Sequence, residues 1–264
     1  MTYCVAISTN DGLVFCSDSR TNAGPDMLSS YSKMHVFNPD KSRVFVLLAA
    51  GNLATTQSIV HRIEADMEDP NLISLMSCNK MVDAARYVSH LSHAEIESAK
   101  EATANSGIDA TVSLIFGGQI AGAAPAIYLM YTAGNFISEP EDSPFIQIGE
   151  SKYGKPILDR IIRRNTSLED AARCAIVSMD STIASNATVG PPIEVLVYEK
   201  DTFETDHYIK LDVDDNYLHN VKQVWNESLM NAFSSLPPFH WEERSQLNLQ
   251  PIQDMQSGFM PKPK

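Results

Sequence analysis

The stretch Arg43-Val-Phe-Val-Leu-Leu-Ala-Ala50 constrains this chain more than any other. After Arg43 it is continuously apolar and rich in β-forming residues, the signature of a strand buried on both faces rather than one. A sheet containing it must be covered on both sides. The run ends at Gly51-Asn52, and two stretches of helical periodicity follow. Residues 53–67 carry Leu53, Ile59, Ile63 and Met67 behind Asn52, which can cap, and residues 79–102 carry Met81, Val82, Ala85, Val88, Leu91 and Ile96. Two helices in succession after a sheet supply one covering layer.

Upstream, a short strand runs to Thr9, the turn Asn10-Asp11-Gly12 follows, and a second strand runs to Asp18. A three-residue loop with Gly12 in the left-handed conformation sets Thr9 opposite Leu13 and Cys4 opposite Asp18, so that Thr2 and Asp18 share a face. Downstream, strands are expected at 110–116, bounded by Gly117-Gly118, at 126–131, bounded by Ala133-Gly134, and at 145–148. Helices are expected near 152–164 and from Thr166-Ser-Leu-Glu169, which has the capping-box spacing, and a last strand over 192–198. This order suits an α+β fold in which two stacked antiparallel sheets lie between helical layers, a four-layer αββα sandwich. Residues 1–212 form that domain. Residues 213–235 form a C-terminal helical extension, with a stripe of Tyr217, Leu218, Val221, Val224, Trp225, Leu229 and Phe233 that needs cover. The Pro-rich residues 236–264 have little to bury, and are expected to be a mobile or neighbour-bound tail.

At 264 residues and 44% hydrophobic content the chain can build a sizeable core. Its formal net charge of −13 argues against nucleic acid and anionic membranes, which reward a basic surface. Partners should be proteins, peptides or copies of itself. No signal-like start and no apolar run approaching roughly 18 residues is present, so the expected location is the cytoplasm. Cys4, Cys16, Cys78 and Cys174 lack metal-ligand spacing and suit buried thiols; Cys4 and Cys16 share a face of the hairpin as drawn, but a reducing compartment disfavours a disulfide. His90, His93 and Glu97 share a helix face, and without a further ligand near them they read as a solvated surface. No metal and no organic cofactor is expected.

The chain opens Met1-Thr2. Bacterial cells trim an initiator Met that precedes so small a residue, which would leave Thr2 with a free α-amine and a hydroxyl, a nucleophile and its base in one unit. If Lys33 returns beside Asp18, a fixed cation eases alkoxide formation and lowers the pKa of the neighbouring amine. One Asp and one Lys within thirty residues are commonplace, and Gly51 alone is an ordinary strand-ending glycine, so the chemistry by itself does not decide.

The pattern Thr2, Asp18-Ser19-Arg20, Gly24, Lys33 resembles the opening of proteasome-type β-subunits, with Asn22 standing where their segment has a Thr. The stretch from Met1 to about Tyr198 resembles Anbu, the ancestral β-subunit, a bacterial family of N-terminal-nucleophile (Ntn) hydrolases. The resemblance implies the αββα sandwich and a threonine peptidase that cleaves amide bonds with Thr2, with Lys33 held by Asp18 and the Gly51 amide receiving the oxyanion. It implies a substrate laid as a strand against the segments of Gly51 and Asn22. Ala49 and Leu53 would then border a roomy apolar pocket for the residue before the cleaved bond. It implies a homo-oligomeric ring or helical turn that hides Thr2 in a chamber; the sequence identifies no unfoldase or regulator. Two departures stand out. Glu150, in Gly149-Glu150-Ser151, occupies a serine's place, with Ser151 one position late as a substitute hydroxyl, and Asn186-Ala-Thr-Val189-Gly190 has an amide for an acid and a Val for a Ser. Arg20 orients its loop, pairs with an acid, or is structural. The alternatives are a self-assembling scaffold with little peptidase activity and an amidase acting on small molecules.

Overall fold

The computed structural model describes residues 1–22, 28–239 and 241. Gly24, the tail beyond 239 apart from Trp241, and the side chains of Asn22 and Leu28 lie outside the described residues. Two compact units are present, Met1–Lys222 and a second that begins at Gln223.

In the first unit, β1 (Tyr3–Ser8), β2 (Gly12–Asp18), β10 (Phe145–Gly149), β11 (Ile193–Glu199) and β12 (Tyr208–Leu211) form an antiparallel sheet in the order β10-β1-β2-β11-β12. A second antiparallel sheet has the order β5-β6-β7-β8-β9, from β5 (Met34–Asp40), β6 (Arg43–Gly51), β7 (Val112–Ile120), β8 (Ala126–Met130) and β9 (Phe136–Ser138). The short pair β3 (Arg20–Asn22) and β4 (Leu28–Ser30) stands apart. Helices α1 (Leu53–Glu68) and α2 (Met81–Thr103) cover the second sheet, and α3 (Lys155–Ile161) and α4 (Leu168–Ser185) cover the first. Helix α5 (Asn216–Ser234) crosses the division between the units.

Side-chain alternation turns this order into layers. In β6, Phe45 and Leu47 face α1 and α2, whereas Val44, Val46, Leu48 and Ala50 meet Cys4, Ala6, Leu13 and Phe15 of the first sheet. The odd residues of β1, Tyr3, Val5 and Ile7, pack on α3 and α4. Three apolar layers result, and the four-layer α+β sandwich follows from them.

Four expectations need correction. The first hairpin pairs Ser8 with Leu13 and Cys4 with Ser17, one residue out from the expected register. The Thr9 N–H donates to the Gly12 carbonyl at 2.9 Å, leaving a two-residue loop and Gly12 inside the strand. Because side chains alternate, a one-residue slip moves each to the other face. Cys4 therefore lies between the sheets and Cys16 against the helices, and all four thiols are free and buried. Strand β7 does not stop at Gly117-Gly118 but runs on to Ile120. A Cβ on Gly117 would stand 2.8 Å from Ile127 and 2.9 Å from Phe15, so this glycine marks close approach of the sheets rather than a strand end. Finally, α4 is capped by Ser167, whose hydroxyl accepts from the Asp170 N–H at 3.2 Å, one residue beyond the expected box.

Candidate active site

The ends of β1, β2 and β6 converge with the residues just before β5. Lys33 is 8% exposed and Asp18 fully buried. The Lys33 ammonium donates to Asp18 Oδ1 at 2.7 Å and to the Arg20 carbonyl at 2.7 Å. Asp18 also accepts from the Tyr3 N–H at 3.0 Å and, on its other oxygen, from the Gly190 N–H at 3.2 Å. Burial pushes the Asp18 carboxyl above its ordinary range, and the Lys33 charge and the backbone donors work against that rise. The Ala49 N–H donates to the Lys33 carbonyl at 3.0 Å, which ties the lysine's backbone to β6.

The hairpin register does not put Thr2 and Asp18 on one face. They meet because both stand at the sheet's end, where Asp18 turns to the Tyr3 amide next to Thr2. Thr2 is pinned through its carbonyl, which accepts from the Glu150 N–H at 2.8 Å. Gly149, with φ +79°, comes so close to that carbonyl that no side chain fits. Gly51, with φ +128°, is equally closed to a Cβ, by the Thr111 carbonyl. The α-amine is that of Met1 in this chain, and burial followed by the Lys33 charge lowers its pKa, against Asp18 and Glu150.

A cavity of about 370 Å³ opens here, and Thr2, Arg20, Lys33, Ala49, Gly51 and Leu53 all line it. Asn22 lies on β3, paired with Leu28. The guanidinium of Arg20 donates to the carbonyls of Ala187 at 2.7 Å and Val189 at 3.4 Å, so it holds the turn that delivers the Gly190 amide to Asp18.

The two departures from the proteasome pattern contact each other. Asn186 Nδ2 donates to Glu150 Oε2 at 2.9 Å, while its Oδ1 accepts from the Thr188 N–H at 3.0 Å and hydroxyl at 2.6 Å. An Asp at 186 would face Glu150 with a second carboxylate, so the amide suits the glutamate. Ser151 is not among the cavity's lining residues; its carbonyl accepts from Gln147 at 3.3 Å and from the Lys155 N–H at 3.2 Å.

Sequence reasoning missed three features of this region. The Gly190 amide was legible only as part of a departing motif. The Tyr3 hydroxyl shares a 2.6 Å hydrogen bond with Ser178 and accepts another from Gln147 at 2.6 Å, bracing the residue after Thr2. The cavity wall, expected to be apolar, also carries hydroxyl side chains, among them Thr56, which stands one helical turn beyond Asn52. On α2, His93 Nδ1 hydrogen-bonds the Thr132 carbonyl at 2.9 Å and Glu97 pairs with Lys100 at 2.8 Å. No group of three potential metal ligands occurs among the described residues.

Fold and site together define a proteasome-type subunit. The family model described as proteasome subunit matches residues 2–198. Among solved structures, Anbu (ancestral beta-subunit) from Yersinia bercovieri is 41% identical, with a TM-score of 0.84, over 90% of this chain and 98% of that one. The structure titled helical assembly of the Anbu complex, from Pseudomonas aeruginosa, is 40% identical, with a TM-score of 0.84, over 90% and 98%. Anbu from Hyphomicrobium sp. strain MC1 is 40% identical, with a TM-score of 0.82, over 90% and 100%. A search of curated proteins finds no match. The chain belongs to the proteasome subunit family and, within it, to Anbu.

Proposed function

We propose that this protein is a threonine-type Ntn hydrolase that cleaves peptide amide bonds after Met1 is removed. The Thr2 hydroxyl attacks the substrate carbonyl carbon and gives its proton, through a water, to its own α-amine. The Gly51 N–H receives the oxyanion. The C–N bond breaks as that proton passes to the leaving amine, leaving an ester on Thr2 that a second water hydrolyses, with the amine again as base. Lys33 stabilises the negative charge and Asp18 holds Lys33 in place; Ala49, Leu53 and Asn22 border the bound chain, and Arg20, Glu150 and Asn186 support the turn around it.

The observation that carries this reading is the buried Lys33 ammonium fixed between Asp18 Oδ1 and the Arg20 carbonyl at the cavity lined by Thr2. A positioned cation beside the nucleophile is what the chemistry requires. The Pseudomonas aeruginosa relative forms a helical assembly, and this chain is proposed to form a homo-oligomer that encloses the site. No described helix is long and apolar enough to cross a membrane, which fits work in the cytoplasm.

Intact mass with and without a peptide epoxyketone, an electrophile that needs both the hydroxyl and the free amine of an N-terminal Thr, is the test. The expected result is loss of Met1 and one adduct per chain, absent from Thr2→Ala. An adduct on the Thr2→Ala variant would sink the mechanism. A trimmed chain that never labels would favour the scaffold reading, which the Glu150–Asn186 replacement supports. Turnover of small amides but not of peptides would favour the amidase.

A further inference from the structure

The wall beside Thr2 has a chemistry of its own. Ala50 and Ser113 are register partners on β6 and β7, next to Gly51 and Val112. Ala50 faces the space between the sheets, where Cys4 and Ala6 of β1 also point, and by alternation Thr2 belongs to that side. Ser113 therefore stands on the nucleophile's side of the second sheet, and its side chain is exposed. Thr56, 5% exposed, donates its hydroxyl proton to the Asn52 carbonyl at 2.9 Å, which leaves the lone pairs of its oxygen to accept. Thr21 and Thr111 add further hydroxyls to the wall, whereas the Ser32 hydroxyl is already bonded to Glu194 at 2.7 Å and the Met34 carbonyl at 2.8 Å.

Charge does not dominate this wall. Among the described residues, no Asp or Glu lines the cavity. The two basic side chains among the described lining residues have other partners, Lys33 bound to Asp18 and Arg20 to the carbonyls of Ala187 and Val189. A basic substrate side chain would meet two fixed positive charges, and an acidic one would have to compete with the partners those charges already have. A bulky apolar side chain would shut off from water those hydroxyls of the wall that have no partner within the protein, without replacing their hydrogen bonds. A neutral side chain that both donates and accepts replaces those bonds.

On the hydrolase reading above, we propose that the residue whose carbonyl is attacked carries a neutral hydrogen-bonding side chain of the glutamine or asparagine class. Thr56 and Ser113 act as specificity-determining residues. The full chain, trimmed of Met1, is treated with three peptide epoxyketones that differ only at the residue bearing the electrophile, Gln, Leu or Lys, and labelling rates are read by intact mass. The Gln probe is expected to label about tenfold faster or more than Leu, because a site built to hydrogen-bond rejects an analogue that cannot. Equal or faster labelling by Leu or Lys overturns the proposal and leaves Thr2 established as the nucleophile. No labelling by any probe removes the hydrolase reading and this proposal with it. Ser113→Ala and Thr56→Val should each shrink the Gln-to-Leu ratio. If Thr56→Val fails to fold, Ser113→Ala alone decides, and an unchanged ratio there refutes the assignment.

Discussion

Asp18 accepts from Lys33, Tyr3 and Gly190 before any substrate arrives, so the position of the Lys33 charge is preset. Lys33→Met keeps the length of the side chain but removes the ammonium, and the labelling rate per folded chain should fall by about 10²–10⁴. Asp18→Asn should do comparable harm and also lower the melting temperature, since a buried charge without its partner costs about 3–5 kcal/mol. A fully active Lys33→Met would assign the role to another cation. The amine gives a pH signature. Burial and Lys33 both lower its pKa on Met1, and Thr2 is less exposed than Met1 and closes the same cavity. A lowered pKa enlarges the neutral fraction at a given pH, so labelling should rise with pH through a midpoint below the ordinary α-amine value of about 7.7–8.0. In Lys33→Met that midpoint should move up. Asn186→Asp would set two carboxylates against each other, and one would have to hold a proton. Its folded pKa is then raised, so the penalty is absent in acid and grows as pH climbs above the ordinary carboxylate range. Melting temperatures of wild type and variant should converge near pH 4 and separate by pH 7.

At the scale of elements, the distance between the sheets is set partly by Gly117, which leaves room above β7 for Phe15 of the facing sheet and Ile127 of the neighbouring strand β8. Gly117→Ala adds a methyl to a filled interior and should cost about 1–3 kcal/mol in denaturant unfolding. A cost below about 0.5 kcal/mol would mean that the sheets can move apart at that point. The same glycine shows where the sequence was legible and where it was not. Runs with one strong signal were plain: β6 was read to within a residue from its apolar stretch, and Asn52 caps α1 by accepting from the Thr55 N–H at 3.1 Å. Two of the edge strands carried no such signal. Strand β5 contains Pro39 and exposes Val36, and β12 buries only Leu211, so neither shows a continuous apolar run. Gly117 was misleading because a glycine can mark a strand's end or a neighbour's approach, and only the tertiary partner tells which. In the site, Asp18 and Lys33 could be paired from their chemistry, but the expected route by which Thr2 reaches Asp18 rested on a register that one loop residue changes. The hydroxyl wall is spread over β3, the Lys33 segment, α1 and the start of β7, so no local pattern in the sequence could gather it.

The whole molecule combines a strongly acidic composition with large apolar side chains that stand exposed among the described residues. Leu218 is 7% exposed and packs with Val221 into the first core, so the start of α5 belongs to the sandwich. In the second unit Val224, Leu229, Met230 and Phe233 are all exposed, Phe233 at 70%, which is the condition of a surface that meets a partner. With the Pseudomonas aeruginosa relative forming a helical assembly, the partner proposed here is another copy of this chain. Truncation after Lys222 tests this, because it keeps Leu211, Leu218 and Val221 and removes the exposed stripe. Light scattering should then find smaller particles, whereas large particles that survive truncation would mean that other faces hold the copies together. Salt supplies an independent reading. Each subunit carries a formal net charge of −13, so copies repel one another until ions screen them, with a Debye length of about 8 Å at physiological ionic strength and about 30 Å at 0.01 M. Apolar contacts between copies do not weaken with that screening. Full-length protein should therefore dissociate as salt is lowered and reassemble as it is restored, and the truncated chain should stay small throughout. Dissociation on raising salt instead would identify the contacts as ion pairs and exclude the apolar stripe as what joins the subunits.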